Sequence, residues 1–150
     1  MLYLEYHELL KKYKNAEKIY YNALDKKSSL LYLVEPHAIQ AKEIINSLSM
    51  TNPDEKIIMY VSQIEEVDKL INESRNNKDA LNYELNKKEI LLKNSQNIYD
   101  NIYYFKYIRG KKVNEFYRLL NYSKRQVYNY IKEIKNNLYE NETLHKIAQK

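Results

Sequence analysis

The sequence predicts an all-α protein with a long helical body at 1–95, a three-helix module at 96–140 and a short tail at 141–150. Three observations lead there. The chain has one glycine and two prolines in 150 residues, so the two strongest helix breakers are almost absent. Apolar residues recur at steps of three and four along most of its length, which is the spacing of a helix face rather than of a strand. The apolar fraction of 44% suffices for the core of one ordinary domain, or of two small ones sharing helices.

Leu2, Tyr6, Leu9, Leu10, Tyr13, Ala16, Ile19, Tyr20 and Ala23 form one such stripe and predict a helix over 2–25, ended by the polar run DKKSS. Glu35-Pro36 then reads as the start of a shorter helix, with Pro36 at its first position and Ile39, Ile44, Ile45 and Leu48 as apolar contacts. Thr51-Asn52-Pro53-Asp54-Glu55 is another start signal, combining a capping residue, a proline and acids in the first turn.

Beyond it, from 53 to 93, a heptad pattern runs with a at 57, 64, 71, 78, 85 and 92 and d at 60, 67, 74, 81 and 88, continuing to 95, 99 and 102. Every one of these sites is apolar except Ser74, Lys78, Lys88 and Ser95. The pattern fits a coiled-coil seam between subunits, and hence a homodimer through this helix, or one long helix packed on the N-terminal region. The polar ESRNNKD at 73–79 also fits the turn of a hairpin; a long helix is the expectation.

From Ser95 the periodicity restarts, with Ile98, Ile102, Phe105 and Ile108 on one side of a helix that ends at Gly110, the only glycine and the natural residue for a left-handed cap. Val113, Phe116, Tyr117 and Leu120 then mark a two-turn helix, and Asn121 is the non-glycine residue best suited to positive φ in a tight turn. Ser123 and Gln126 spell a capping box, with Tyr122 and Val127 placed for a hydrophobic staple. In the helix that follows, 124–138, Val127, Ile131, Ile134 and Leu138 face inward, which turns Lys124, Arg125, Tyr128, Asn129 and Lys132 outward.

Charge singles out the same segment. Residues 96–139 hold nine Lys and Arg against three Asp and Glu, a balance of +6 that exceeds the whole chain's +5. A neutral or acidic body joined to a basic module is the asymmetry expected where one part binds a polyanion. A short helix, a tight turn and a cationic helix are the parts of a helix-turn-helix, whose last helix enters the major groove of double-stranded DNA by its N-terminal end. Arg125 can fork onto guanine O6 and N7, and Asn129 can pair with adenine N6 and N7. Lys124 and Lys132 reach a phosphate or a guanine edge, while Lys111, Lys112 and Arg118, with Ser123 at the helix start, are placed for phosphates. The bland alternative is a solvated basic face on a helical bundle.

Other chemistry finds little support. No cysteine is present, which removes disulfides and thiolate chemistry. His7, His37 and His145 are too scattered for metal-ligand spacing, and neither a metal nor another cofactor is expected. The pairs Asp54/Glu55 and Glu65/Glu66 read as solvated helix faces, and a phosphate-binding loop needs glycines the chain does not have, so the expectation is a non-enzyme. Most of the seventeen tyrosines fall at core spacing, and a recombinase tyrosine lacks its arginine cluster in a chain of four arginines. Without a signal peptide or a bilayer-length apolar run, no membrane partner is expected and the cytoplasm is the default compartment.

The run KYIRGKKVNEFYRLLNYSKRQVYNYIKEI, 106–134, resembles region 4 of bacterial sigma factors. The longer span from Ala41 to Leu138 resembles the RinA/ArpU-type late-gene transcription regulators of phages and prophages of low-GC Gram-positive bacteria. The resemblance implies sequence-specific DNA binding in a bacterial host cell, activation of late operons and contact with host RNA polymerase. It places Lys124, Arg125, Gln126, Tyr128 and Asn129 at the base-reading positions. This chain departs from the pattern at Tyr117, where a small alanine is usual, and at Asn121, which replaces a turn glycine. Two alternatives stay open: a packaging protein similar to a terminase small subunit, and a helical inhibitor of a host factor.

Overall fold

The computed structural model describes residues 1–46 and 55–148, with the side chains of 35–46, 57 and 145 outside the description. Its elements are α1 (Leu2–Asn46), α2 (Glu55–Lys93), α3 (Ile98–Tyr103) running on as a π-helical turn (Tyr104–Ile108), α4 (Val113–Phe116) running on as a 3₁₀ turn (Tyr117–Leu120), and α5 (Lys124–Ala148). No strand occurs among the described residues, and the protein is all-α. None of the described helices is long and apolar enough to cross a membrane. Two compact units form: one from 13–80, the other from Met1–Lys12 together with the chain from Leu81 onward.

In the first unit α1 and α2 pair antiparallel. Ala23, Leu30, Val67 and Ile71 are buried together, with Tyr20, Leu24, Tyr60 and Ile64 packed against them. The heptad residues of α2 in this unit therefore pack within the chain, as a long helix on the N-terminal region, and a dimer through this helix would need its other face.

The polar run at 25–29 does not end α1, contrary to the sequence expectation. Ala23, Leu30 and Val34, spaced i, i+7 and i+11, carry the buried stripe past it, while Lys27 Nζ meets Asp68 Oδ1 at 2.6 Å on the outer side. Pro36 likewise falls inside α1 rather than opening a new helix, at the loss of one backbone donor. ESRNNKD is helical too: Ser74, buried, donates to the Ile71 carbonyl at 3.2 Å, and Lys78 Nζ lies 4.8 Å from the Tyr20 ring centroid. The start signal at 51–54 and the predicted contacts of Ile39, Ile44, Ile45 and Leu48 lie outside the described residues and side chains.

The second unit is built around a buried carboxylate. Asp100 is 2% exposed, and its two oxygens accept from the Tyr3 backbone N–H at 3.0 Å and from Ser95 Oγ at 3.0 Å. Tyr3 N–H is one of the donors that a helix start leaves without an internal partner, so Asp100 caps α1 from α3 and ties in the loop after α2.

Around this point the aromatic core closes. The Tyr103 ring, 1% exposed, stacks on Tyr107 (centroids 5.0 Å, interplanar 28°) and meets Tyr3 at 5.6 Å and Tyr6 edge-on at 5.8 Å. Burial, with the neighbouring Tyr6 and Tyr107, pushes the Tyr103 hydroxyl well above the ordinary phenol range. Tyr3, Tyr6, Tyr103 and Tyr104 are thus core residues, whereas Tyr21, Tyr32, Tyr83, Tyr128 and Tyr139 are exposed. The N-terminal segment also reaches α5: Asn137 Nδ2 donates to Tyr3 Oη at 2.8 Å, Asn141 Nδ2 donates to Glu8 at 2.9 Å, and Lys11 pairs with Glu142 at 3.3 Å.

Gly110 closes the helix before it, with φ +65°. Because the last turn is π-helical, the capping bonds reach one residue further back than in an α-helix. Arg109 N–H donates to the Tyr104 carbonyl and Lys111 N–H to the Phe105 carbonyl, both at 2.9 Å.

Two substitutions test this frame. Asp100→Ala leaves Tyr3 N–H and Ser95 Oγ without their acceptor and is expected to lower unfolding free energy by roughly 2–4 kcal/mol in a urea titration. A loss under about 0.5 kcal/mol, the range of a neutral surface change, would contradict the role given to Asp100. Gly110→Ala meets no atom within 4 Å of the added Cβ, so its expected penalty of about 1–2 kcal/mol is that of left-handed backbone alone. Gly110→Asn should recover part of it in the same titration.

Candidate nucleic-acid interface

The start of α5 is set by local chemistry. Asn121 takes the left-handed conformation, φ 59° and ψ 30°, and reverses the chain between the 3₁₀ turn and α5. Gln126 N–H donates to Ser123 Oγ at 3.2 Å while Ser123 N–H donates to Gln126 Oε1 at 3.0 Å, a reciprocal capping box. Tyr122 lies edge-on to Tyr130, centroids 5.5 Å apart, and Tyr130 in turn edge-on to Tyr99 at 5.2 Å.

Four α5 residues anchor the helix: Val127 and Ile134 are fully buried, Ile131 is 3% exposed and Leu138 9%. The helix continues past Leu138 to Ala148, so 141–148 is part of α5 rather than a separate tail. Tyr99 Oη donates to Glu133, fastening α3 to α5, and that bond is the main reason the Tyr99 hydroxyl is pushed up to about 12.

With that stripe inward, Lys124, Arg125, Gln126, Tyr128, Asn129 and Lys132 are all exposed. Arg125, Tyr128, Asn129 and Lys132 stand at i, i+3, i+4 and i+7 and therefore share one face. Gln126 differs from them, because its amide oxygen is engaged by Ser123 and only its NH₂ is left for a partner. Lys111 and Lys112 are exposed ahead of α4. There Lys112 N–H donates to Glu115 Oε2 at 2.7 Å and Glu115 N–H returns to the Lys112 carbonyl at 2.9 Å.

Among the described residues no carboxylate pairs with Lys111, Lys112, Arg118, Lys124, Arg125 or Lys132; the ion pairs of this unit involve Lys11 and Lys88 instead. The positive field is felt inside the unit as well. Lys106, half-buried, is held below its ordinary range by burial and by repulsion from Lys135.

Tyr117 is the feature the sequence shows only as a departure from a pattern. Arg118 Nε donates to its hydroxyl at 3.0 Å, the Arg118 guanidinium carbon lies 5.6 Å from its ring centroid, and Lys124 Nζ lies 5.2 Å from the same centroid. Tyr117 and Lys124 are seven positions apart across a left-handed turn, a proximity that helical periodicity does not report.

Ser123→Ala removes the acceptor of the capping box and is expected to lower stability by about 1 kcal/mol, with Ser123→Asp restoring most of it, as read by thermal denaturation. Comparison of the chain with protein-family models, with curated proteins and with solved structures gives no match.

Proposed function

We propose that the protein is a sequence-specific double-stranded-DNA-binding transcription regulator that reads the major groove with the first half of α5. The observation that carries this is the outward face Arg125, Tyr128, Asn129 and Lys132: exposed, aligned on one side of the helix, and free of carboxylate partners among the described residues. A solvated face of a bundle usually intersperses acids with its cations, and here the nearest acid on α5, Glu133, is occupied by Tyr99. Arg125 and Asn129, one turn apart, are the residue types that recognise guanine and adenine edges. Lys111, Lys112 and Arg118 add contacts to the phosphate backbone, which bring affinity and salt dependence but no sequence preference.

The left-handed turn at Asn121 and the cap at Ser123 support the helix-turn-helix reading, with α4 and its 3₁₀ extension as the supporting helix. The wider role proposed is that of a RinA/ArpU-type phage or prophage activator of late genes, acting in the bacterial cytoplasm, with contact to host RNA polymerase. It rests on the motif from Lys106 to Ile134. No catalytic role is proposed for these residues.

Selection of bound duplexes from a random pool, followed by anisotropy titration of the selected sequence, tests the reading. Arg125→Ala is expected to weaken specific binding by about 1–3 kcal/mol, to relax preference at one base pair, and to leave the thermal melt unchanged because the side chain is exposed. Unaltered specific affinity would remove Arg125 from the groove.

A further inference from the structure

We infer that Tyr117 is a positioning residue that gathers Arg118 and Lys124 on one aromatic ring as a two-cation clamp for a phosphoryl group, so that Lys124 grips the backbone of the nucleic acid instead of reading a base. The inference rests on the DNA-binding reading for the source of the phosphate, and on the geometry of Tyr117 for the clamp itself.

Arg118 and Lys124 both approach the Tyr117 ring with no carboxylate partner among the described residues, so something else must make their placement favourable. The Tyr117 ring does so. Its face carries the negative part of the aromatic quadrupole, with Lys124 Nζ 5.2 Å and the Arg118 guanidinium carbon 5.6 Å from the centroid. Its hydroxyl oxygen accepts from Arg118 Nε at 3.0 Å, which fixes the guanidinium plane.

The hydroxyl responds to the same pair: the Arg118 hydrogen bond above all, with the charges of Arg118 and Lys124, holds it below the ordinary phenol range. The Arg118 Nη groups and the Lys124 ammonium have no carboxylate partner among the described residues, and a phosphoryl group, with several acceptor oxygens, is the ligand that such unpaired N⁺–H donors favour. An alanine at 117 would provide neither ring nor hydroxyl. The side chain at which this stretch departs from the pattern it resembles is therefore the one that builds the clamp.

Tyr117→Phe keeps the ring and loses the hydroxyl, whereas Tyr117→Leu keeps apolar bulk and loses the π face, so a merely packing role predicts the same behaviour for both. In anisotropy titrations with a labelled duplex between about 50 and 200 mM salt, the Leu variant is expected to bind about three- to tenfold more weakly than the parent. Its slope of log affinity against log salt should be shallower by about 1–2, while Phe stays within about twofold of the parent.

Inorganic triphosphate, followed through the NMR signals of Arg118 and Lys124, separates the clamp from the nucleic acid. The parent and the Phe variant should respond and the Leu variant should not. A duplex that fails to bind together with that triphosphate pattern keeps the clamp and overturns the DNA reading. A Leu variant that matches the parent in duplex affinity, salt slope and triphosphate response overturns the clamp.

Discussion

The second unit depends on one buried carboxylate. Asp100 receives one of the orphan N–H groups of α1 through Tyr3 and the hydroxyl of Ser95 beyond the end of α2, so the beginning of the chain, the loop after α2 and the start of α3 converge on two oxygens. A carboxyl group at 2% exposure needs hydrogen-bond partners, and the donors it finds hold the three segments together. The ring of Tyr103 then has fixed neighbours in Tyr3, Tyr6 and Tyr107, and the hydroxyl of Tyr3 is set to meet Asn137 on α5. The orientation of the outward face of α5 follows from contacts made by the first residues of the chain.

The same helix shows how burial and charge divide labour around a single axis. Val127, Ile131, Ile134 and Leu138 supply the apolar stripe that anchors α5, and each fully buried aliphatic side chain of this kind contributes about 1.5–3 kcal/mol. The opposite face contributes little to stability and is therefore available for recognition. Tyr99 engages Glu133, the acid of α5 nearest to that face, and Tyr117 contacts two of the cations, Arg118 and Lys124.

Polar interruptions in an apolar pattern turn out to be informative about partners. Of the four polar sites in the heptad run, Ser74 bonds back to Ile71, Lys78 covers Tyr20, Lys88 Nζ pairs with Glu5 at 2.8 Å, and Ser95 donates to Asp100. Lys78 and Lys88 thus find partners on α1, as intramolecular packing of α2 requires, whereas Ser74 is satisfied within its own helix and Ser95 lies beyond the end of α2.

Wherever the determining interactions are local, the sequence alone was sufficient. Near-absence of glycine and proline made the fold all-α; the left-handed positions at Gly110 and Asn121, the Ser123–Gln126 cap and the inward stripe of α5 could all be read within a few residues of one another, because caps and turns satisfy backbone groups at short range. The continuity of α1 through its polar run and Pro36 was not legible, since both are local break signals, and at the polar run it is the buried stripe resuming at Leu30 and Val34 that outweighs the signal. Nor were the burial of Asp100, the choice of Tyr3 and Tyr103 as core residues, or the meeting of Arg118 and Lys124 on Tyr117. Those depend on which segments distant in sequence become neighbours, and only tertiary packing decides where a buried carboxylate finds its donors and where two unpaired cations find a common ring.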